Sequence, residues 1–130
     1  MAKVIFYEKP GCGGNARQKA LLIASGHEVE ARNLLAETWT ASSLRPFFGA
    51  RPVLEWFNAA SPRLKSGEIR PEALTEQDAL ALMLQDPLLI RRPLMQVGAR
   101  LEAGFDAGKL DAWIGLVPAR SPVTDTCLKQ

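Results

Sequence analysis

The residue of this chain best suited to chemistry is a cysteine near its N-terminus, Cys12. It follows the apolar segment 4–7 and a turn that contains Pro10 and Gly11, and a helical pattern starts at Gly13. The order strand, turn, helix places the thiol at a helix N-terminus, where backbone N–H groups and the helix dipole stabilise a thiolate. A thiolate is a nucleophile near neutral pH. The alternative interpretation is that Cys12 is only a small residue in a tight turn.

The chain has a second cysteine, Cys127, and a single histidine, His27. No leader-like segment is recognisable, so we expect a cytoplasmic protein, in which a structural disulfide between Cys12 and Cys127 is disfavoured. The two thiols and His27 lack the spacing of a zinc site, so no metal is expected. His27 follows a predicted helix-to-strand turn, where we expect it to be exposed and inert.

Composition narrows the class of protein. The 130 residues, of which 47% are apolar, are enough for one domain with a buried core. The net charge is only +2, with neither a polybasic tract nor an acidic tail. Nucleic-acid binding and membrane binding are therefore not expected.

Apolar patterning predicts an α/β domain. Residues 3–7 and 28–32 are typical of strands, and 13–25 of a helix between them. We expect this helix to bury the face formed by its apolar residues, which are Ala16, Ala20, Ile23 and Ala24.

A helical block at about 38–90 follows, in which we interpret 61–70 as a loop. Segments 93–97 and 99–103 then predict an antiparallel hairpin before a last helix that ends near residue 114. The order of elements predicts a thioredoxin-like, mixed four-stranded sheet, with the block inserted into a domain of residues 1–114. Residues 115–130 are expected to be an irregular tail.

Three segments carry a family resemblance. They are the strand, turn and helix around Cys12, the segment 85–94 with its Arg-Arg-Pro sequence, and the segment 100–106. Together they resemble the arsenate-reductase-like (ArsC/Spx) family of thioredoxin folds. Residues 9–19 look most like the subgroup called nitrogenase-associated proteins, which are often encoded with nitrogen-fixation functions.

The resemblance implies a set of site residues. Cys12 would be the nucleophile, and Arg92 matches one of three arginines that hold the oxyanion in an arsenate reductase of this fold. Pro93 would be cis beside Cys12, and the binding residues would be Gly13, Gly14 and Asn15. No cofactor would be resident. Glutathione is the implied co-substrate, and glutaredoxin or a nitrogen-fixation protein the implied partner.

The chain also departs from the family pattern. The other two oxyanion arginines fall near Phe57 and Phe105, which cannot bind an anion, although Arg45, Arg51 or Arg100 could substitute. A tetrahedral oxyanion needs several convergent donors, so we do not expect efficient arsenate reduction. Asn15 also stands where Spx-type regulators have the second cysteine of Cys-x-x-Cys. Any thiol mechanism must therefore use a small thiol such as glutathione, or a distant cysteine such as Cys127.

Other interpretations of the same residues remain open. The glycines at 11 and 13 loosely fit a dinucleotide fingerprint, and Cys12 to Arg17 is one residue short of a phosphatase loop. Arg91 and Arg92 could be solvated charges that end the helical block. At the level of the whole chain, the alternative to a thiol oxidoreductase is a non-catalytic redox-sensing or partner-binding protein that retains the fold.

Overall fold

The computed structural model describes residues 2–117. Within this range the strands are β1 (Lys3–Glu8), β2 (Glu28–Asn33), β3 (Leu94–Val97) and β4 (Arg100–Ala103). The α-helices are α1 (Gly13–Ala24), α2 (Ala41–Leu44), α3 (Pro62–Lys65), α4 (Glu76–Gln85) and α5 (Ala107–Ile114). Short 3₁₀ turns cover Arg45–Phe48, Val53–Trp56, Pro71–Ala73 and Pro87–Leu89.

The strands form one mixed sheet in the order β2-β1-β3-β4. β1 pairs parallel with β2 and antiparallel with β3, and β3 pairs antiparallel with β4. The predicted mixed four-stranded sheet, including its parallel β1–β2 pair and its C-terminal hairpin, is thus confirmed. It also follows that β1 ends at the same edge of the sheet at which β3 begins.

The two faces of the sheet bury two separate cores. On one face, Val4 and Phe6 pack with residues of α1 and α5. On the other face, Tyr7 packs against the helical region between β2 and β3, and its ring lies 5.0 Å from that of Trp39. Because alternate side chains of a strand point to opposite faces, β1 supplies both cores from one apolar run. Helices therefore cover both faces, as the pattern predicts.

The helical region contains the helix starts that its sequence predicts and one helix that it does not. Thr40 and Thr75 cap α2 and α4 through their side-chain oxygens, which accept the backbone N–H groups three residues later. The segment interpreted as a loop at 61–70 contains α3. This prediction was wrong because Ser61 accepts the N–H of Arg63 and Pro62 occupies the first helical position, a start signal that the polar composition concealed.

The predicted inward face of α1 is also wrong. Ala16, Ala20, Ile23 and Ala24 are exposed, Ile23 by 61%. The helix instead buries Gly14, Asn15, Gln18, Leu21 and Leu22. The side-chain amide of Asn15 donates a hydrogen bond to that of Gln18 at 2.9 Å. This bond offsets part of the cost of burying the two polar groups.

His27 is buried rather than exposed, which corrects a further prediction. Its Nδ1 accepts the backbone N–H of Ala2 at 3.0 Å, and its Nε2 lies 2.8 Å from the carbonyl oxygen of Gly115. With Nδ1 as the acceptor, Nε2 is the ring nitrogen that donates to the Gly115 carbonyl. The ring joins the start of β1 to the chain that leaves α5, two partners that are far from His27 in sequence.

None of the helices within residues 2–117 is long and apolar enough to cross a membrane.

We expect His27→Ala to lower the free energy of unfolding by about 2 kcal/mol, because it leaves one backbone donor and one backbone acceptor without their partner. Urea denaturation measures this change. Glu28→Ala is the neighbouring control and should change stability by less than about 0.5 kcal/mol, since Glu28 is exposed. Equal stability of the two variants would contradict the structural role of His27.

Candidate functional site

The turn between β1 and α1 fixes the position of Cys12. Gly11 adopts φ 82°, a left-handed conformation that favours glycine, and the Cys12 N–H donates to the Lys9 carbonyl at 3.1 Å. Cys12 is the N-cap of α1, which opens with Gly13 and Gly14. The prediction of a cysteine at a helix N-terminus is therefore confirmed.

Asn15 holds this turn closed. Its backbone N–H donates to Cys12 Sγ at 3.4 Å, and its side-chain Oδ1 accepts the Lys9 N–H at 3.1 Å. Its Nδ2 donates to Gln18 Oε1. Asn15 thus presents a backbone donor to the sulfur and uses its side chain to brace the loop. Gln18 was missed by the sequence analysis, although an amide pair at i, i+3 on one helix is a recognisable signal.

Arg92 reaches the same edge of the sheet from the other direction. Tyr7 near the end of β1 pairs with Leu94, the first residue of β3, so Arg92 precedes β3 at the edge of the sheet where the turn to Cys12 follows β1. Only 7% of Arg92 is exposed. The alternative that Arg92 is a solvated charge is therefore wrong.

The buried Nε of Arg92 has no hydrogen-bond partner among the described residues. Burial lowers the pKa of Arg92. No neighbouring carboxylate contributes to this shift. Arginine nevertheless stays protonated at neutral pH, so the site holds a buried positive charge that would favour an anion beside it.

The peptide bond between Arg92 and Pro93 is cis, as the resemblance implies. The preceding residue, Arg91, has a different environment. It donates from its backbone to Trp56 O and from Nη1 to Glu55 O, and its guanidinium lies where a Cβ on Gly104 would stand. Arg91 therefore ties the helical region to the sheet, and Gly104 is needed for this close approach.

The other positions at which the family would place arginines are buried and apolar. Phe57 and Phe105 are each 3% exposed and belong to the two cores. Arg45, Arg51 and Arg100, which could have substituted, each pair with a carboxylate, of Glu76, Glu55 and Glu102 respectively. Arg92 differs from these three arginines. It lies at the edge of the sheet that carries Cys12, and it pairs with no carboxylate among the described residues.

The sulfur of Cys12 takes part in a disulfide in this structure. The expectation that disulfides are disfavoured rested on the cellular compartment, which no sequence feature establishes, and it is not met at Cys12. Cys127 and the predicted tail beyond residue 117 lie outside the described residues. Among residues 2–117, no cluster of three or more potential ligands could hold a metal ion.

A cavity of about 360 Å³ lies elsewhere, between residues 47–52 and the edge strand β4. Its charged lining is mixed, with Glu55 and Glu102 beside Arg51 and Lys109. None of its lining residues belongs to the turn at Cys12, so this cavity does not serve the thiol.

Comparison with known proteins places this geometry in context. The model of the ArsC family matches residues 7–113. The chain is 58% identical over 130 residues to a Rhodospirillum rubrum protein named as a 15.7 kDa protein in the draG 3′ region, covering all of this chain and 91% of that protein. It is also 27% identical over 110 residues to the regulatory protein MgsR of Bacillus subtilis strain 168, covering 83% and 87% of the two chains.

Among solved structures, the arsenate reductase from Vibrio cholerae superposes with a TM-score of 0.69. It covers 89% of this chain and 98% of its own at 18% identity. At that identity the similarity concerns the fold, which is the predicted thioredoxin-like α/β arrangement.

We expect Arg92→Met to leave the free energy of unfolding unchanged or to raise it by ~1–3 kcal/mol, because the substitution removes an uncompensated buried charge and fills a similar volume. Arg70→Met is the control, since Arg70 is exposed, and it should change stability little. A loss of stability in Arg92→Met alone, measured by urea denaturation, would show that the guanidinium makes stabilising contacts in solution.

Proposed function

The chain belongs to the ArsC family, and on this premise we propose that it is a thiol-dependent redox protein in which Cys12 is the nucleophile. In the reduced protein, the Cys12 thiolate attacks a sulfur or another oxidised centre and forms a covalent intermediate. A glutathione-type thiol then completes the exchange. Arg92 acts as the charged residue that favours the thiolate.

The observation that carries this proposal is the buried Arg92, whose Nε has no hydrogen-bond partner among the described residues, at the edge of the sheet where Cys12 lies. A buried arginine without a counter-charge is energetically unfavourable, and it therefore favours a negative charge beside it. The backbone N–H of Asn15, 3.4 Å from Sγ, adds a hydrogen-bond donor to the same sulfur. Both contributions favour the thiolate over the thiol.

The same observations favour disulfide chemistry over reduction of an oxyanion. A thiolate carries one negative charge on one atom, which one cation and one N–H can stabilise. A tetrahedral oxyanion spreads its charge over several oxygens and needs convergent donors. Phe57 and Phe105 are buried in the cores. The three arginines that could have substituted, Arg45, Arg51 and Arg100, each pair with a carboxylate.

A redox-sensing role is a second candidate. It is supported by the similarity to MgsR, whose name describes a regulatory protein. In this role, oxidation of Cys12 would change binding to a partner rather than turn over a substrate. The number of glutathione-dependent cycles per protein molecule distinguishes the two roles. An enzyme completes many cycles, whereas a sensor completes one.

We propose three partners for Cys12. Glutathione is the small thiol, and glutaredoxin the protein reductant, that a mixed disulfide on Cys12 would need. A nitrogen-fixation protein is a further candidate partner, supported only by the subgroup resemblance and by a relative named for the draG 3′ region. A cytoplasmic location would suit all three.

We expect the alkylation of Cys12 by iodoacetamide in the reduced protein to titrate below the free-thiol pKa of about 8.5. The variant Cys127→Ser isolates the signal of Cys12. In that background, Arg92→Met should raise the midpoint because the favourable charge is lost.

Arg70→Met is the matched control for the titration and should leave the midpoint unchanged, since Arg70 is exposed and remote in sequence from both residues. A midpoint at or above 8.5 before any arginine is changed would contradict a nucleophilic role for Cys12.

Arsenate reduction with glutathione and glutaredoxin should be weak or absent. The physical reason is the lack of convergent cationic donors at the described site. The measurement is arsenite formation over time, with Cys12→Ser as the blank. Turnover that is robust and disappears in Cys12→Ser would show that arsenate is a substrate and that Phe57 and Phe105 do not prevent its binding.

A further inference from the structure

The residues next to Cys12 have no side chains that could restrain it. Gly11 precedes Cys12 with φ 82°, and Gly13 and Gly14 follow it at the start of α1. Glycine has more backbone freedom than any other residue, so these neighbours favour a mobile turn. A nucleophile works best when its geometry is fixed in advance. Asn15 is the first residue after Cys12 whose side chain can supply a restraint.

Both backbone groups of Lys9 are held. The Lys9 carbonyl accepts the Cys12 N–H at 3.1 Å, which closes a four-residue turn with Pro10 and Gly11 at its centre. The Lys9 N–H donates to Asn15 Oδ1 at 3.1 Å and so ties the start of this turn to the start of α1. The backbone N–H of Asn15 in turn faces Cys12 Sγ at 3.4 Å. The position of the sulfur therefore depends on the side-chain carboxamide of Asn15.

The orientation of this carboxamide depends on Gln18. A backbone N–H can only donate, so the Asn15 oxygen must face Lys9 and its Nδ2 must face away. Nδ2 donates to Gln18 Oε1 at 2.9 Å. Asn15 is 1% exposed and Gln18 is fully buried, so solvent has little access to this donor. Without the Gln18 oxygen, the orientation that serves Lys9 would deprive a buried donor of this acceptor, which costs free energy.

The amide pair lies where the helix could have carried apolar residues. Farther along, α1 buries Leu21 and Leu22 in the core on its side of the sheet, and it buries Asn15 and Gln18 nearer to Cys12. Burying two amides costs desolvation that apolar side chains of similar size avoid. A hydrogen-bonded buried pair instead fixes a single geometry. The pair is therefore suited to positioning the turn more than to stabilising the fold.

We propose that Gln18 is a positioning residue for Cys12. Its side-chain oxygen fixes the Asn15 carboxamide, the carboxamide holds the Lys9 N–H, and the turn thus held keeps Cys12 Sγ beside the Asn15 backbone N–H. The inference rests on the proposed function, because a thiolate benefits from that N–H more than a thiol does. Gln18 acts on the sulfur through Asn15.

The test replaces Gln18 by methionine, which has a similar unbranched shape and no amide oxygen. In the reduced full-length Cys127→Ser protein, Gln18→Met should raise the midpoint of Cys12 alkylation by ~0.5 pH unit. It should also accelerate hydrogen exchange of the Lys9 amide, followed by NMR, by roughly fivefold. The Leu34 amide, which donates to the Glu8 carbonyl at 2.8 Å, should exchange as before.

Two further variants are controls. Gln77 is exposed on α4, so Gln77→Met should change neither the midpoint nor the exchange of Lys9. Gln18→Glu retains an oxygen that can accept from Asn15 Nδ2, so it should leave the Lys9 amide protected.

A double variant tests whether Gln18 acts through Asn15. Asn15→Ala removes the carboxamide and retains the backbone N–H, and it should raise the midpoint at least as much as Gln18→Met does. Adding Gln18→Met to Asn15→Ala should then raise the midpoint no further, because the group that Gln18 positions is already absent.

The outcomes distinguish this inference from the proposed function. An unchanged midpoint in Gln18→Met, with or without faster Lys9 exchange, overturns the positioning role and leaves the nucleophilic role of Cys12 intact. Additive shifts in the double variant overturn it as well. If Gln18→Met does not fold, Gln18→Glu decides, since loss of Lys9 protection there contradicts the role of the oxygen. A midpoint at or above about 8.5 before Gln18 is changed contradicts the proposed function itself.

Discussion

The pairing of β1 with both of its neighbours is the constraint on which the rest of the structure depends. Its parallel partner β2 requires a crossover, which α1 provides, and this crossover begins with the turn that holds Cys12. Its antiparallel partner β3 begins where β1 ends, so the segment before β3 delivers Arg92 to the same edge. One strand therefore determines that a thiol and a cation from distant parts of the sequence meet at one end of the sheet.

The burial of Arg92 shows that this edge is not arranged for stability alone. Buried charges are ordinarily paired, yet burial lowers the pKa of Arg92 with no carboxylate to oppose it. The arginines that do stabilise the fold behave differently: Arg45 lies over the ring of Trp56 and pairs with Glu76, and Arg91 bonds to backbone carbonyls. A buried cation with an unpartnered nitrogen is unfavourable for stability, and such groups occur often at functional sites, which is why the proposed function assigns Arg92 a role.

The sequence predicts the elements of this fold well and their contacts less well. The apolar run of β1, the glycine turn before α1 and the hairpin of β3 and β4 follow from local patterns. The inward face of α1 does not, because Asn15 and Gln18 are buried as a bonded pair and a rule based on apolar periodicity assigns them to solvent. The burial of His27 could not be predicted from local patterns either, since its two hydrogen-bond partners are separated from it by 25 and 88 residues in the chain.

The part of the site that could be predicted is the part that is local. The helix-start position of Cys12 depends on five or six adjacent residues, and it follows from their types. The burial of Arg92 depends on the register between β1 and β3, on the helical region that covers one face and on the helices that cover the other. No pattern within the segment 91–93 distinguishes a buried guanidinium from a solvated one.

The chemistry proposed for the site follows from the number of arginines that it contains. The resemblance implies three oxyanion arginines, of which Arg92 matches one. The other two fall near Phe57 and Phe105, which belong to the cores. Replacing Phe57 and Phe105 by arginine would bury two further charges, so the packing of the cores disfavours arginine at both positions. What one arginine and one backbone N–H can still stabilise is a single-atom anion. Under the proposed function, the sulfur of Cys12 is that atom and thiol–disulfide exchange is its reaction.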